Sequence, residues 1–372
     1  MAVHLFDPIT LRGLALANRI VVSPMCQYSA DEGRATDWHL IHWGQMLLSG
    51  AGMMTIEATG VTADGRITPG CLGLWDDATE EALGATLARA RRQAPPAPVA
   101  IQLAHAGRKG SSNRPWEGGT QIAFDRGGWT TCAPSAVAHA EGEIPPVALD
   151  AAGLVRIKAA FVAAARRAER IGIDAIELHC AHGYLLHQFL SPLANRRNDA
   201  YGGGFDGRIR FPLEVFDAVR AAWPADRPLG VRLSATDWVE GGWDLDEAVE
   251  CARRLKERDC DWIDVSSGGV SPAQKIVSQP GIHVPFARAI RRATGVVTMA
   301  VGLITEARQA EAIVAAGDAD MIALARALLL DPRWPWRAAA ELGATVRGAP
   351  QYWRALPKAL AGVFGAARTA QR

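Results

Sequence analysis

Pairs of the form Cys-x-x-Cys are missing from this sequence: its six cysteines, Cys26, Cys71, Cys132, Cys180, Cys251 and Cys260, are scattered singly. That removes the common frameworks of a zinc ribbon or an iron–sulfur site. No block of one charge sign occurs either. Lys and Arg number 40 against 39 Asp and Glu, a formal net charge of +1, which argues against a nucleic-acid or membrane-surface partner. No apolar run approaches a bilayer's span; even MIALARALLL carries Arg326 in its middle. The start, MAVHLFDPITLRG, lacks the basic and apolar regions of a signal peptide. A cytoplasmic protein with reduced thiols is expected.

What is present is apolar substance and rhythm. With 49% hydrophobic residues over 372 positions, a large core is available. Eight short β-rich runs recur: Arg19 to Ser23, Met53 to Ala58, Pro98 to Ala104, Ile173 to His179, Pro228 to Ser234, Asp261 to Ser267, Val296 to Gly302 and Ala319 to Ala325. Amphipathic stretches lie between them. The clearest places Leu154, Ile157, Phe161, Val162 and Ala165 at helical spacing, and Gly172 and Gly317 stand where helices should stop. Eight strand–helix alternations predict a (β/α)8 TIM barrel in a single domain over 1–372. An open doubly wound sheet is the alternative, but SPMCQYS after the first run is not the Gly-rich turn that such sheets use for nucleotides. The triple glycine Gly202 to Gly204 reads as a loop. Two segments fall outside the rhythm: a Gly-, Pro- and Trp-rich excursion over 109–146 after the third strand, read as a lid, and a C-terminal tail over 340–372. Trp334, Trp336, Tyr352 and Trp353 in and before that tail predict docking against this barrel or a neighbour's.

Barrel active sites lie at the C-terminal ends of the strands. There the sequence offers Ser23, Pro24, Met25 and Cys26, then Ala58, Gln102, His179, His182 and Tyr184, then Arg232, Gly302, Ala325 and Arg326. Backbone near Gly302 with the Arg326 guanidinium suits a phosphate monoester. Gln102 can donate to and accept from the pyrimidine edge of a flavin, and Arg232 would stabilise charge gathering there on reduction. His179 and His182 are three apart, so a short turn would aim both imidazoles at one carbonyl oxygen. Tyr184 is then a proton donor for the adjacent carbon. Zinc at the two histidines would need a third ligand, and none has suitable spacing. Taken one at a time, a core histidine, a buried Cys26 or a rim arginine is the plainer reading; the set at the strand ends carries the argument.

The stretch IELHCAHGYLLHQFLSPLANRRNDAYGG resembles the signature of the Old Yellow Enzyme family of FMN-dependent ene-reductases. LFDPITLRGLALANRIVVSPMCQYS, IQLAHAGRKG, VRLSATD, SSGG and LARALLLDP extend the resemblance over nearly the whole chain, and SPMC with Tyr28 is similar to the bacterial xenobiotic-reductase and thermostable subgroup. The resemblance implies tightly but non-covalently bound FMN, with NADPH as hydride donor and an activated C=C bond as acceptor. It implies FMN contacts from Ser23, Pro24, Met25, Cys26, Ala58, Gln102, Arg232, Gly302, Ala325 and Arg326. His179 and His182 would bind the acceptor oxygen, Tyr184 would protonate, and Tyr28 would line the substrate site. Ala325 stands where glycine is common. QYWR resembles a tail that enters a neighbouring subunit's site, which implies Trp353, Arg354 and a homodimer or homotetramer. A barrel that binds FMN or a metabolite as a sensor or scaffold, without turnover, is the alternative from another class.

Overall fold

The computed structural model describes residues 3–355 and 358–365; the last residues of the expected tail, 366–372, lie outside the described residues. Eight parallel strands close into a barrel: β1 (Ile20–Val22), β2 (Met53–Gly60), β3 (Val99–Ala104), β4 (Ala175–Cys180), β5 (Leu229–Ser234), β6 (Trp262–Ser266), β7 (Val297–Ala300) and β8 (Met321–Leu324). Each pairs with its sequence neighbours, and β8 closes the ring on β1 through Ile322↔Ile20, Ala323↔Val21 and Leu324↔Val22. Helices follow the strands, beginning with Asp37–Leu47, Asp77–Gln93 and Ala151–Arg170. This is the (β/α)8 barrel that the alternation predicts.

Period-2 alternation divides each strand between two cores. Ile20, Val22, Met54, Ile101, Ile176, Ile263 and Ile322 face outward and pack under the helices. Val21, Met53, Ala100, Ala175, Trp262, Met299 and Met321 face inward and fill the barrel. Large and small residues alternate on this inner layer. The Trp262 ring lies over Gly230, where an added Cβ would sit 2.1 Å from the indole, so only glycine fits beneath it. An antiparallel hairpin, Ile9–Leu11 with Leu14–Leu16, adds Leu11 and Leu16 to the same cluster and stops the N-terminal end.

Helix ends follow the local chemistry. The carboxylates of Asp76, Asp150 and Asp244 accept the first-turn N–H of Thr79, Gly153 and Glu247. Gly172 and Gly317 take φ of +78° and +67° at the predicted stops. The excursion is ordered: it runs through two 3-10 turns, Pro115–Glu117 and Phe124–Arg126, and its Cys132–Ala133 pairs in parallel with Val147–Ala148. The tail docks on its own barrel. Trp336, Val346 and Val363 form a small core, and Trp353 lines a cleft with Asn18 and Pro96, which precede β1 and β3.

Candidate active site

Above the apolar inner layer, the next inward positions are polar. Gln102 pairs in register with Glu177, and Arg232 with His179 on one side and Asp264 on the other. The Gln102 amide N–H donates to Glu177 Oε1 at 2.8 Å, and the Trp262 indole N–H donates to its Oε2 at 3.2 Å. Arg232 Nε lies 3.2 Å from Asp264 Oδ2. Burial raises the Glu177 carboxyl to about 7, Asp264 adding to the effect, and burial raises Asp264 as well. This layer is the floor of the site: one guanidinium and one amide, each held by an acid in register on the next strand.

His179, His182 and Tyr184 stand at the C-terminal end of β4 and in the turn after it. The His179 ring is 5.1 Å from that of His182 and 4.9 Å from that of Tyr184, centroid to centroid, and both pairs are edge-on. The turn is tightly specified. His182 and Gly183 take φ of +58° and +72°, and a Cβ at Gly183 would lie 2.2 Å from the Gly269 carbonyl oxygen. The Gly183 N–H donates to His187 Nδ1 at 2.8 Å, while His187 Nε2 lies 3.0 Å from Asp237 Oδ1. The Ala181 N–H donates to His179 Nδ1 at 3.2 Å, which leaves Nε2 to carry the hydrogen. His182 Nε2 is 2.6 Å from Ser266 Oγ. Burial, then the charge of Arg232, holds both histidines well below the usual imidazole range, so they are neutral N–H donors. Burial pushes the Tyr184 phenol well above its ordinary value, which keeps its proton on.

The segment after β1 forms one wall. Ser23 is anchored by its N–H to the Leu324 carbonyl at 2.9 Å, and its hydroxyl is buried without a partner. Glu57 Oε1 accepts the Gln27 N–H at 3.0 Å, the Gln27 side chain donates to the Met25 carbonyl, and Arg114 Nε donates to the Tyr28 carbonyl. Tyr28 is thereby held at φ +52°. Burial raises the Cys26 thiol well above its ordinary value, as do neighbouring Cys71 and Glu57, so Cys26 is a thiol here. Ala58 lies in a register break of β2 between Ile56 and Thr59, which re-aims that strand end.

On the opposite rim, Gly302 has φ +106°, and a Cβ there would meet His283 Nδ1 at 2.7 Å. Ala325 has φ −110° and ψ −93°, outside the positive-φ region that favours glycine. Arg326 is exposed and has no ion-pair or hydrogen-bond partner among the described residues. A partnerless buried hydroxyl, a free guanidinium and a glycine-only approach are what a flavin monophosphate would satisfy, so the residues present fit FMN.

The predicted residues of the chain's own barrel thus gather at one end of it. Trp353 and Arg354 do not join them: Trp353 is at the opposite, N-terminal rim, its indole N–H donating to the Gly348 carbonyl at 2.9 Å. Glu57, Lys109, Glu177, Asp264 and Ser266 also surround the site; Lys109, Glu177 and Ser266 lie within the stretches IQLAHAGRKG, IELHCAHGY and SSGG, where the sequence alone gives them no site role. Glu177 and Asp264 had a signal, an acid at an inward position of an apolar strand. Asp64, His105 and Cys132 also approach one another, with ligand atoms within 4.8 Å. There the Gly107 N–H occupies His105 Nδ1 at 3.0 Å, and Arg156 sits 3.4 Å from Asp64. That cluster ties the excursion to the barrel.

A model of the NADH:flavin oxidoreductase / NADH oxidase family matches residues 4–344. The NADPH dehydrogenase of Geobacillus sp. (strain WCH70) is 45% identical over 356 residues, covering 95% of this chain and 99% of the relative. A NADH:flavin oxidoreductase of Gibberella zeae is 41% identical over 364 residues, covering 93% and 87%. Among solved structures, morphinone reductase superposes with a TM-score of 0.76 at 27% identity, over 96% of this chain and 93% of that one. The barrel, the site and these relatives agree: the chain belongs to the NADH:flavin oxidoreductase / NADH oxidase family, as an FMN-dependent, nicotinamide-linked enzyme of the Old Yellow Enzyme group.

Proposed function

We propose that this enzyme reduces carbon–carbon double bonds activated by a carbonyl or nitro group. The observation that carries the reading is the convergence of His179, His182 and Tyr184 at one strand end. FMN, when bound, supplies the hydride that NADPH delivers to it. The acceptor oxygen sits against the two neutral imidazoles, which stabilise the negative charge arriving there; one such donor is worth ~3 kcal/mol in comparable oxyanion sites. Tyr184 gives its phenolic proton to the carbon next to the activating group. Ser23, Pro24, Met25, Cys26, Ala58, Gln102, Arg232, Gly302, Ala325 and Arg326 hold the cofactor, with Arg326 on its phosphate and Arg232 and Gln102 at its polar edge. Tyr28 lines the acceptor site.

The protein works in the cytoplasm. The tail bearing Trp353 and Arg354 serves a neighbouring subunit in a homodimer or homotetramer; its position at the rim away from its own site supports that reading. The test is anaerobic. NADPH should bleach the flavin and cyclohexenone should restore its colour. Bleaching without recovery over a panel of enones, maleimides and nitroalkenes would leave a flavin-binding barrel of another purpose.

A further inference from the structure

Arg108 and Lys109 open the excursion loop; Arg108 is buried and Lys109 half-buried, and the hydrogen bonds of both charged groups go to carbonyl oxygens. Arg108 is 4% exposed. Its guanidinium donates to the carbonyls of Val137, Ala138 and Val270, and its Nε is buried without a partner. Lys109 Nζ donates to the carbonyls of His182 and Gly269 at 2.9 and 3.0 Å, which leaves the third ammonium hydrogen uncommitted. Neither cation has an acidic group within ion-pair distance among the described residues. Enclosed cations ordinarily come paired, because leaving water without an opposite charge is costly. Burial accordingly lowers Lys109 to about 8 and Arg108 to about 10.

Both residues line a cavity of about 160 Å³ between the excursion and the barrel mouth, together with Tyr28, Asn113, His139 and Glu143. His139 Nδ1 is buried there without a partner. The one carboxylate in the lining, Glu143, accepts the Ala140 N–H at 3.2 Å. Lys109 Nζ is also 5.2 Å from the centre of the Tyr184 ring, so the cavity borders the acceptor site.

We propose that this cavity is an oxyanion subsite, in which Lys109 receives a carboxylate or phosphate group carried by a molecule bound over His179, His182 and Tyr184. The proposal rests on the acceptor-site reading above. Its volume admits a small anionic group and not a nucleoside. Two sources share the chemistry: the carboxylate of an unsaturated acid and the 2′-phosphate that distinguishes NADPH from NADH.

The holoenzyme tests it by equilibrium titration of the flavin absorption band with hydroxybenzoates and the matching hydroxybenzamides, each referred to phenol. Wild type should favour the carboxylates by about tenfold. Lys109→Gln, which keeps hydrogen-bond donors for both carbonyls and removes the charge, should abolish the preference, and Lys109→Arg should restore it. In parallel, the ratio of NADPH to NADH affinity for the oxidised enzyme is compared across the same variants. Loss of the carboxylate preference names an acid as occupant, and loss of the nucleotide preference names a phosphate. Both ratios unchanged in Lys109→Gln overturns the subsite. Phenol giving no absorption change in wild type is a different result, which would sink the acceptor-site reading and leave the nucleotide comparison to decide the subsite.

Discussion

Tyr184 meets His179 edge-on, with ring centroids 4.9 Å apart and planes at 80°. The phenol and the imidazole proposed to bind the acceptor are therefore held together across one short turn. Tyr184→Phe keeps the ring and the packing and removes only the hydroxyl with its proton. Acceptor reduction should slow by ~10²–10⁴-fold, while flavin reduction by NADPH stays close to wild type. Stopped-flow measurement of the two half-reactions checks this; equal rates in both would mean that solvent delivers the proton.

Removing the imidazoles acts earlier. The double variant His179→Ala with His182→Ala should lose the long-wavelength band that phenols form with the bound flavin, with affinity down at least about 100-fold for two lost donors at ~1.5 kcal/mol each. A titration with 4-chlorophenol measures it. Retained affinity would detach both histidines from ligand oxygen.

Among the described residues Arg326 has no side-chain partner to leave unsatisfied, so its removal should spare the fold. Arg326→Ala should weaken FMN retention by ~10–100-fold, the loss of one charge-assisted contact. The apparent melting temperature should change little for apoprotein and drop for holoprotein. A fall of the same size in apoprotein would assign Arg326 a structural role.

Glu57 links stability to pH. Its carboxyl is raised from 4.5 to about 8 by burial, with His39 Nε2 at 3.9 Å and Cys26, Cys71 and Tyr28 around it. Burial lowers His39 to about 4, so the pair is neutral at pH 7. The folded state keeps the Glu57 proton where the unfolded chain has released it, so its contribution to stability falls as pH rises from 4.5 and levels off above about 8. Glu57→Gln should remove about 2 kcal/mol of the decline between pH 6.5 and 8. Urea unfolding of both proteins across that window reads the difference, which also cancels Glu177 and the histidines. Parallel curves would rule out Glu57 as the source.

Much of this is legible in the sequence. The strands show as apolar runs of five to seven residues, and their ends point to His179, Arg232 and Gln102 because a barrel puts its chemistry there. The inward acids Glu177 and Asp264 are readable only once the inside face of each strand is known, since the same alternation serves either face. Glu57 hides for a different reason: a register break in β2 changes which way it points, and nothing in MMTIEATG announces a bulge. Lys109 joins the surroundings through carbonyls of residues far along the chain, and such contacts have no sequence pattern. The excursion reads as irregular, and it is; its anchoring through Arg108, Arg114 and His105 is tertiary.

The seam between β8 and β1 joins segments roughly 300 residues apart along the chain. A nascent polypeptide emerging from the ribosome has made its first strand long before the partner for one of that strand's edges exists. Until Met321–Leu324 is synthesised, the growing sheet has bare hydrogen-bonding edges at β1 and β7. Those edges are templates for stray pairing between neighbouring chains. Ser23, whose N–H is held by Leu324 across this seam, can take its place only after closure, so in the proposed cofactor role it would meet flavin only in the finished cylinder.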